Sequence, residues 1–265
     1  MLYYLASFFL KRFGPARLLQ SFTVLIVVSH YVGFVVTALL MPKFYPILPV
    51  DRGRDFVPGA EASKGKPTGA GAVFISFFVF IVLLVAPLEA FHVWILGFTW
   101  LSMVTGFLDD RSSTSWGEYR KGLLDLFLCA TSALVITHFL RDQTAGDIVC
   151  WLPFTARPVH LAPWLFTVIA TCMLWGSINT TNCTDGVDGL SGTLVLIALI
   201  TLGVIFYFIV GHRDIAAYLL VPHLADGAVW GLITFTLAGV LMGYLWHNAF
   251  PSTVLMGDAG SRALG

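Results

Sequence analysis

The sequence predicts an all-α fold, a polytopic membrane bundle of helices. Apolar residues make up 57% of the 265 residues and charged residues only 11%, and the mean hydropathy is +0.84. Soluble domains contain about 45–50% apolar residues. Seven apolar runs are long enough to cross a bilayer, which takes about 20 residues per helix. Because hydrocarbon offers the backbone no hydrogen-bond partner, these runs are expected to be helices.

The seven apolar runs follow one another along the whole chain. In order they lie at roughly 22–41, 69–88, 90–108, 122–140, 160–178, 190–210 and 228–247. The run at 215–224 is too short to span and is predicted to be re-entrant or interfacial. The N-terminal MLYYLASFFL is predicted to be a short amphipathic or interfacial segment. Since no low-complexity tract divides the chain, one transmembrane catalytic domain, residues 1–265, is expected.

The alternation of spans sorts the connecting loops into two groups. Residues 42–68, 109–121, 179–189 and 248–265 share one side of the membrane. That side carries nine Lys and Arg residues and the other side six, so the positive-inside rule predicts that it is cytoplasmic. The total charge balances, with 15 basic and 15 acidic residues, which argues against a nucleic-acid binder.

The predicted cytoplasmic side holds four polar motifs. They are SKGKPTGAG (63–71), GFLDD (106–110), NTTNCTDGVDG (179–189) and MGDAGS (256–261). The loops of the opposite side contain no comparable Asp–Gly or Asn–Asp cluster. The four motifs are therefore expected to form one site.

Asp109 and Asp110 end an apolar helix at membrane depth or just below it. A carboxylate is costly there and two repel each other, whereas Mg²⁺ prefers carboxylate and water ligands. The alternative is that the two acids simply end a helix in water. The helix macrodipole argues mildly against it, because a negative charge at a helix C-terminus is unfavourable. The pair alone leaves metal binding and helix capping open.

The other polar residues are ambiguous when each is taken alone. Asn182, Asp185 and Asp188 are three residues apart, so on a helical turn they would share a face, but such a stretch is more often a capping loop. Asp258 between glycines is also typical of a helix N-cap. The lysines in this group are Lys64, Lys66 and Lys121. Each of them is by itself more typical of an interfacial anchor, but together these groups suit phosphoryl transfer.

Three motifs resemble those of a known family in order and in side of the membrane. GFLDD, NTTNCTDGVDGLSG and LWHNAFPSTVLMGDAGSRALG are similar to motifs of the polyprenyl-phosphate N-acetylhexosamine-1-phosphate transferases, integral membrane enzymes that need Mg²⁺. The likeness covers nearly the whole chain and is greatest to the bacterial branch with a UDP-N-acetylmuramoyl-pentapeptide donor. It implies transfer of phospho-N-acetylmuramoyl-pentapeptide to undecaprenyl phosphate, with release of UMP, at the cytoplasmic face of the bacterial inner membrane. The product is the first lipid intermediate of peptidoglycan synthesis.

The resemblance also implies roles for the polar residues. The expected catalytic residues are Asp109, Asp110 and Asp258. The expected Mg²⁺ ligands are Asp109, Asp110, Asp185 and Asp258. The residues expected to bind the substrates are Lys64, Lys121, Asn182, Asp185 and Asp188. The lipid bilayer is the expected surrounding, and a homodimer is left open as the assembly.

The chain departs from the family pattern at several positions. Leu255 stands where the muramoyl-pentapeptide branch usually has a phenylalanine, and Arg262 where a leucine is usual. Members of the family have about ten spans and a histidine-rich motif in a late loop. Because the chain ends at Gly265 after seven predicted spans, a C-terminally truncated fragment is expected.

Two other functions remain open at this point. One keeps the chemistry but uses a UDP-N-acetylglucosamine-type donor for another surface polymer. The other is a membrane transporter, since intramembrane acids and broken helices also suit that class. Transporters place charges near the midplane and often contain internal repeats, whereas the acids here cluster at one surface. A non-catalytic scaffold would not need these aspartates.

Overall fold

The computed structural model describes residues 2–4, 14–51, 64–112, 114, 116–144, 147–151 and 157–265. Its first helices are α1 (Phe22–Phe44), α2 (Gly71–Val85), α3 (Ala90–Arg111), α4 (Glu118–Thr144) and α5 (Pro163–Thr184). The later ones are α6 (Leu190–Val204), α7 (Arg213–Tyr218), α8 (Gly227–Asn248) and α9 (Gly257–Leu264). A π-helical segment, Ile205–Val210, continues α6, and two short strands, β1 (Ile148–Cys150) and β2 (Val159–Leu161), pair antiparallel.

A helix forms at every predicted apolar run, so the all-α membrane fold is confirmed. Five of the described helices are long and apolar enough to cross a membrane by length and composition: α1, α3, α4, α6 with its π-helical continuation, and α8. Helix α2 has only 15 residues, and α5 ends in the polar residues NTTNCT. The run at 215–224 contributes only part of the six-residue helix α7. The strands have three residues each, too few to show an alternating pattern in the sequence.

Helices α1 and α8 cross closely at glycines and form the centre of the bundle. A Cβ on Gly243 would lie 2.6 Å from the carbonyl oxygen of Phe34. A Cβ on Gly239 would overlap the carbonyl of His30, whose Nδ1 lies 2.9 Å from the carbonyl oxygen of Phe235. Small residues four apart allow membrane helices to approach in this way. As a result, 67% of the residues in an apolar stretch of 18 residues within α8 are buried.

Glycines also allow the short helix α9 to pack between its neighbours. A Cβ on Gly71 of α2 would overlap the backbone of Gly260, and a Cβ on Gly106 of α3 would overlap the backbone of Asp258. Residues of α5 approach the far end of α9, where a Cβ on Gly265 would lie 2.6 Å from Cα of Ile178. These contacts bring the start of α9 beside the end of α3.

Gly106→Ala is expected to destabilise the protein, because the added methyl group would meet backbone atoms of α9 rather than a flexible side chain. Overpacking of this kind costs about 1–3 kcal/mol. Gly97→Ala in the same helix is the matched control, since nothing lies within 4 Å of a Cβ there. Thermal unfolding of the detergent-solubilised variants measures the difference. Equal melting temperatures would contradict the close contact between α3 and α9.

Candidate active site

Four of the predicted residues meet where α3 ends and α4 and α9 begin. They form what we call the acid–lysine cluster: Asp109, Asp110, Lys121 and Asp258. The Nζ atom of Lys121 lies 2.6 Å from Oδ2 of Asp109 and 3.1 Å from Oδ2 of Asp258. The other oxygen of Asp109, Oδ1, accepts a hydrogen bond of 2.8 Å from the backbone N–H of Trp116. One ammonium group therefore holds two carboxylates together that would otherwise repel each other.

Asp110 faces the backbone of α9 instead. Its Oδ1 accepts a hydrogen bond from the N–H of Asp258 and its Oδ2 one from the N–H of Ala259, both at 3.0 Å. The backbone turns into α9 at Gly257, which has a φ of +72°. A Cβ at this glycine would lie only 2.5 Å from Oδ2 of Asp110. A carboxylate at a helix N-terminus satisfies free N–H groups and suits the macrodipole, so Asp110 anchors the helix that carries Asp258.

The electrostatics at Asp258 favour a nearby cation. Burial raises the pKa of the Asp258 carboxyl above its usual value; the neighbouring Asp109 acts in the same direction, and Lys121 opposes them. Positive charge close to Asp258 therefore favours its ionised form. Lys121 supplies one such charge, and a bound metal ion would supply more.

Mg²⁺ usually binds to one or two carboxylates and completes its shell with water and substrate phosphates. Asp109 and Asp258 offer such a pair, because both carboxylates converge on one cationic group. The donor set thus fits Mg²⁺. No group of three His, Cys, Asp or Glu side chains in the described residues is arranged to hold a metal ion. The roles of Asp109, Asp110, Asp185 and Asp258 as ligands stay predictions.

A second group of polar residues, which we call the loop cluster, joins three loops. The backbone N–H of Ser252 donates to Oδ2 of Asp188 at 3.2 Å, and Nζ of Lys66 donates to Oγ of Ser252 at 2.9 Å. The same Lys66 atom lies 3.8 Å from Oδ2 of Asp188. Beside them, Oδ1 of Asn248 accepts a hydrogen bond of 2.9 Å from the N–H of Gly189. The loops predicted to share one side of the membrane therefore do meet.

The remaining predicted residues lie at different distances from this centre. Oδ1 of Asn182 accepts a hydrogen bond of 3.2 Å from Oγ of Ser261, one turn after Asp258 on α9. Asp185 follows the C-terminus of α5. Lys64 is exposed and forms no hydrogen bond or ion pair within the described part of the chain. The structure thus brings Asn182 to the helix of the acid–lysine cluster, whereas it shows no polar contact between Lys64 and another described residue.

Some polar contacts were not predicted from the sequence. Lys66, rather than Lys64, reaches the loop cluster. Asp125 of α4 and Arg262 of α9 form a buried ion pair. Their spacing is the signal that was available, since Asp125 follows Lys121 by four residues and Arg262 follows Asp258 by four.

Membrane-spanning helices that enclose an acid–lysine cluster at one end define an integral membrane enzyme suited to phosphate-bearing substrates. Residues 92–265 match the family described as glycosyl transferase family 4, and the chain belongs to this family. This membership confirms the transferase resemblance seen in the three motifs and counts against the transporter alternative.

Three proteins similar to this chain have the same name. The chain is 54% identical over 254 residues to the phospho-N-acetylmuramoyl-pentapeptide-transferase of Treponema pallidum (strain Nichols), covering 96% of this chain and 69% of the relative. The protein of the same name from Aliarcobacter butzleri is 31% identical over 277 residues, covering 97% and 75%. That from Campylobacter curvus is 32% identical over 262 residues, covering 94% and 73%.

Proposed function

We propose that this protein transfers phospho-N-acetylmuramoyl-pentapeptide from its UDP-linked donor to undecaprenyl phosphate. The observation that carries the proposal is the acid–lysine cluster, in which Lys121 joins Asp109 and Asp258 at one end of a membrane bundle. The shared name of relatives up to 54% identical supports the choice of substrates. The proposed setting is the bacterial inner membrane, with the cluster facing the cytoplasm, where the UDP-linked donor is found.

The proposed reaction breaks one bond and forms one. An oxygen of undecaprenyl phosphate attacks the sugar-linked phosphorus of the donor, the bond from that phosphorus to the oxygen of UMP breaks, and UMP leaves. Phosphoryl transfer of this kind depends mainly on positioning and on charge stabilisation.

The residues of the cluster are placed for those tasks. Lys121 donates hydrogen bonds to phosphate oxygens while Asp109 and Asp258 orient its ammonium group. Mg²⁺, held by the same two aspartates, would supply neutralisation of the diphosphate charge. The hydrogen bonds from α9 to Asp110 keep Asp258 in reach of Lys121.

The test is UMP release from detergent-solubilised protein supplied with undecaprenyl phosphate. Two donors are compared, UDP-N-acetylmuramoyl-pentapeptide and UDP-N-acetylglucosamine, each with Mg²⁺ and with excess chelator. We expect metal-dependent release with the muramoyl-pentapeptide donor alone. Release with UDP-N-acetylglucosamine alone would assign the protein to another surface polymer, and silence with both donors would contradict catalysis by this chain.

A further inference from the structure

A second ion pair lies one helical turn from the contact between Lys121 and Asp258 and joins the same two helices, α4 and α9. Asp125 stands four residues after Lys121 on α4, and Arg262 stands four residues after Asp258 on α9. The Nε atom of Arg262 donates to Oδ1 of Asp125 at 2.9 Å, and its Nη2 contacts the same oxygen. Because residues four apart share a helix face, α4 and α9 face each other with charges in opposite order.

This second pair is shielded from water almost completely. Arg262 is 1% exposed and Asp125 is 3% exposed. The Nη1 atom of Arg262 is buried without a hydrogen-bond partner among the described residues. A buried pair with an unsatisfied donor is a weak source of stability, since apolar residues often replace such pairs without loss. Removal of one partner alone, in contrast, leaves a buried and uncompensated charge.

Each charge of the pair has a second potential partner on its own helix. Without Arg262, the Asp125 carboxylate would be one turn from the Lys121 ammonium group. Without Asp125, the Arg262 guanidinium group would be one turn from the Asp258 carboxylate. Unscreened attraction between such groups is strong at low dielectric. Either loss would therefore draw one member of the acid–lysine cluster towards the wrong partner.

We propose that Asp125 and Arg262 are positioning residues, which neutralise each other and so leave Lys121 directed at Asp109 and Asp258. The pair also fixes the far end of α9, where Oγ of Ser102 donates a hydrogen bond of 3.0 Å to the carbonyl oxygen of Arg262. The expected effect on turnover rests on the proposed function. The expected effect of the ion pair on which carboxylates Lys121 contacts does not.

The kinetic test compares Asp125→Asn and Arg262→Gln with the double variant that carries both changes. We expect kcat per folded protein to fall about tenfold or more in each single variant, with the KM for the UDP-linked donor changed about twofold at most. The double variant, which has no uncompensated charge, is expected to recover to within about threefold of the wild type. A purely structural role would leave kcat per folded protein unchanged in all three variants, and that result would overturn the inference. So would a double variant as slow as the single ones.

A stability test needs no activity. Lys121→Met and Asp125→Asn are combined in a double-mutant cycle, measured by thermal unfolding in the wild-type and the Arg262→Gln backgrounds. We expect additive effects in the wild type and coupled effects when Arg262 is changed. Additivity in both backgrounds would overturn the inference. Absence of UMP release by the wild type, in contrast, would count against the proposed function alone.

A background that retains the positive charge covers the case in which Arg262→Gln does not fold. Arg262→Lys leaves a cation opposite Asp125, so the Lys121–Asp125 cycle is expected to stay additive in that background. Coupling between Lys121 and Asp125 in the Arg262→Lys protein would overturn the inference, because neutralisation of Asp125 would then not decide how Lys121 pairs.

Discussion

Asp258→Asn is expected to lower the rate of UMP release by about 10³-fold, within the range found when one charge-stabilising group is lost from an active site. The amide has nearly the same shape but removes the charge that faces Nζ of Lys121 at 3.1 Å. The backbone N–H of residue 258, which Asp110 binds, is unaffected by the change. Folding should therefore change little, and the rate of UMP release is measured together with the melting temperature.

Asp142→Asn provides the matched control for this experiment. Asp142 lies near the C-terminus of α4, and its side chain is 66% exposed. The same change of carboxylate to amide should leave both turnover and melting temperature at their wild-type values there. Near-normal turnover by Asp258→Asn would contradict the role of Asp258 in catalysis and the proposal that it holds Mg²⁺.

That the predicted residues lie close together could be expected from two features of the sequence, the length of the apolar runs and their number. The length of each apolar run predicts a helix, and the alternation of spans predicts which loops share a side. Asp109 and Asp258 are 149 positions apart, yet both were expected on one side and they do share Lys121. The same argument explains why the loop cluster could be expected, with Asp188 and Ser252 in contact.

The individual contacts could not be predicted in the same way, because they depend on how closely two helices approach. The pairing of Asp125 with Arg262 requires side chains of α4 and α9 to reach each other, a contact between distant parts of the chain. The orientation of Asp110 depends on the positive φ of Gly257, which turns the first N–H groups of α9 towards it. The sequence predicted catalysis and metal binding for both aspartates at 109–110, whereas the structure gives them different partners.

Asp110→Ala is expected to reduce both stability and turnover. The change removes the acceptor for two N–H groups at the start of α9, those of Asp258 and Ala259. Loss of a helix cap costs about 0.5–2 kcal/mol, and a buried donor left without a partner costs about 1–3 kcal/mol. Because α9 carries Asp258, turnover should fall with the loss of order at its first turn. Thermal unfolding and UMP release measure the two effects in the same preparations.

Asp110→Asn separates anchoring from the catalytic or metal-binding role that the motif predicts for Asp110. The amide keeps one carbonyl oxygen as an acceptor for the N-terminus of α9, so an anchoring residue should lose less stability and less turnover with Asn than with Ala. A base or a metal ligand needs the charge instead, and its turnover should fall as far with Asn as with Ala, although the melting temperature stays close to that of the wild type. Equal loss of turnover in two variants of unequal stability would therefore contradict anchoring as the main role of Asp110 and favour the charge-dependent one.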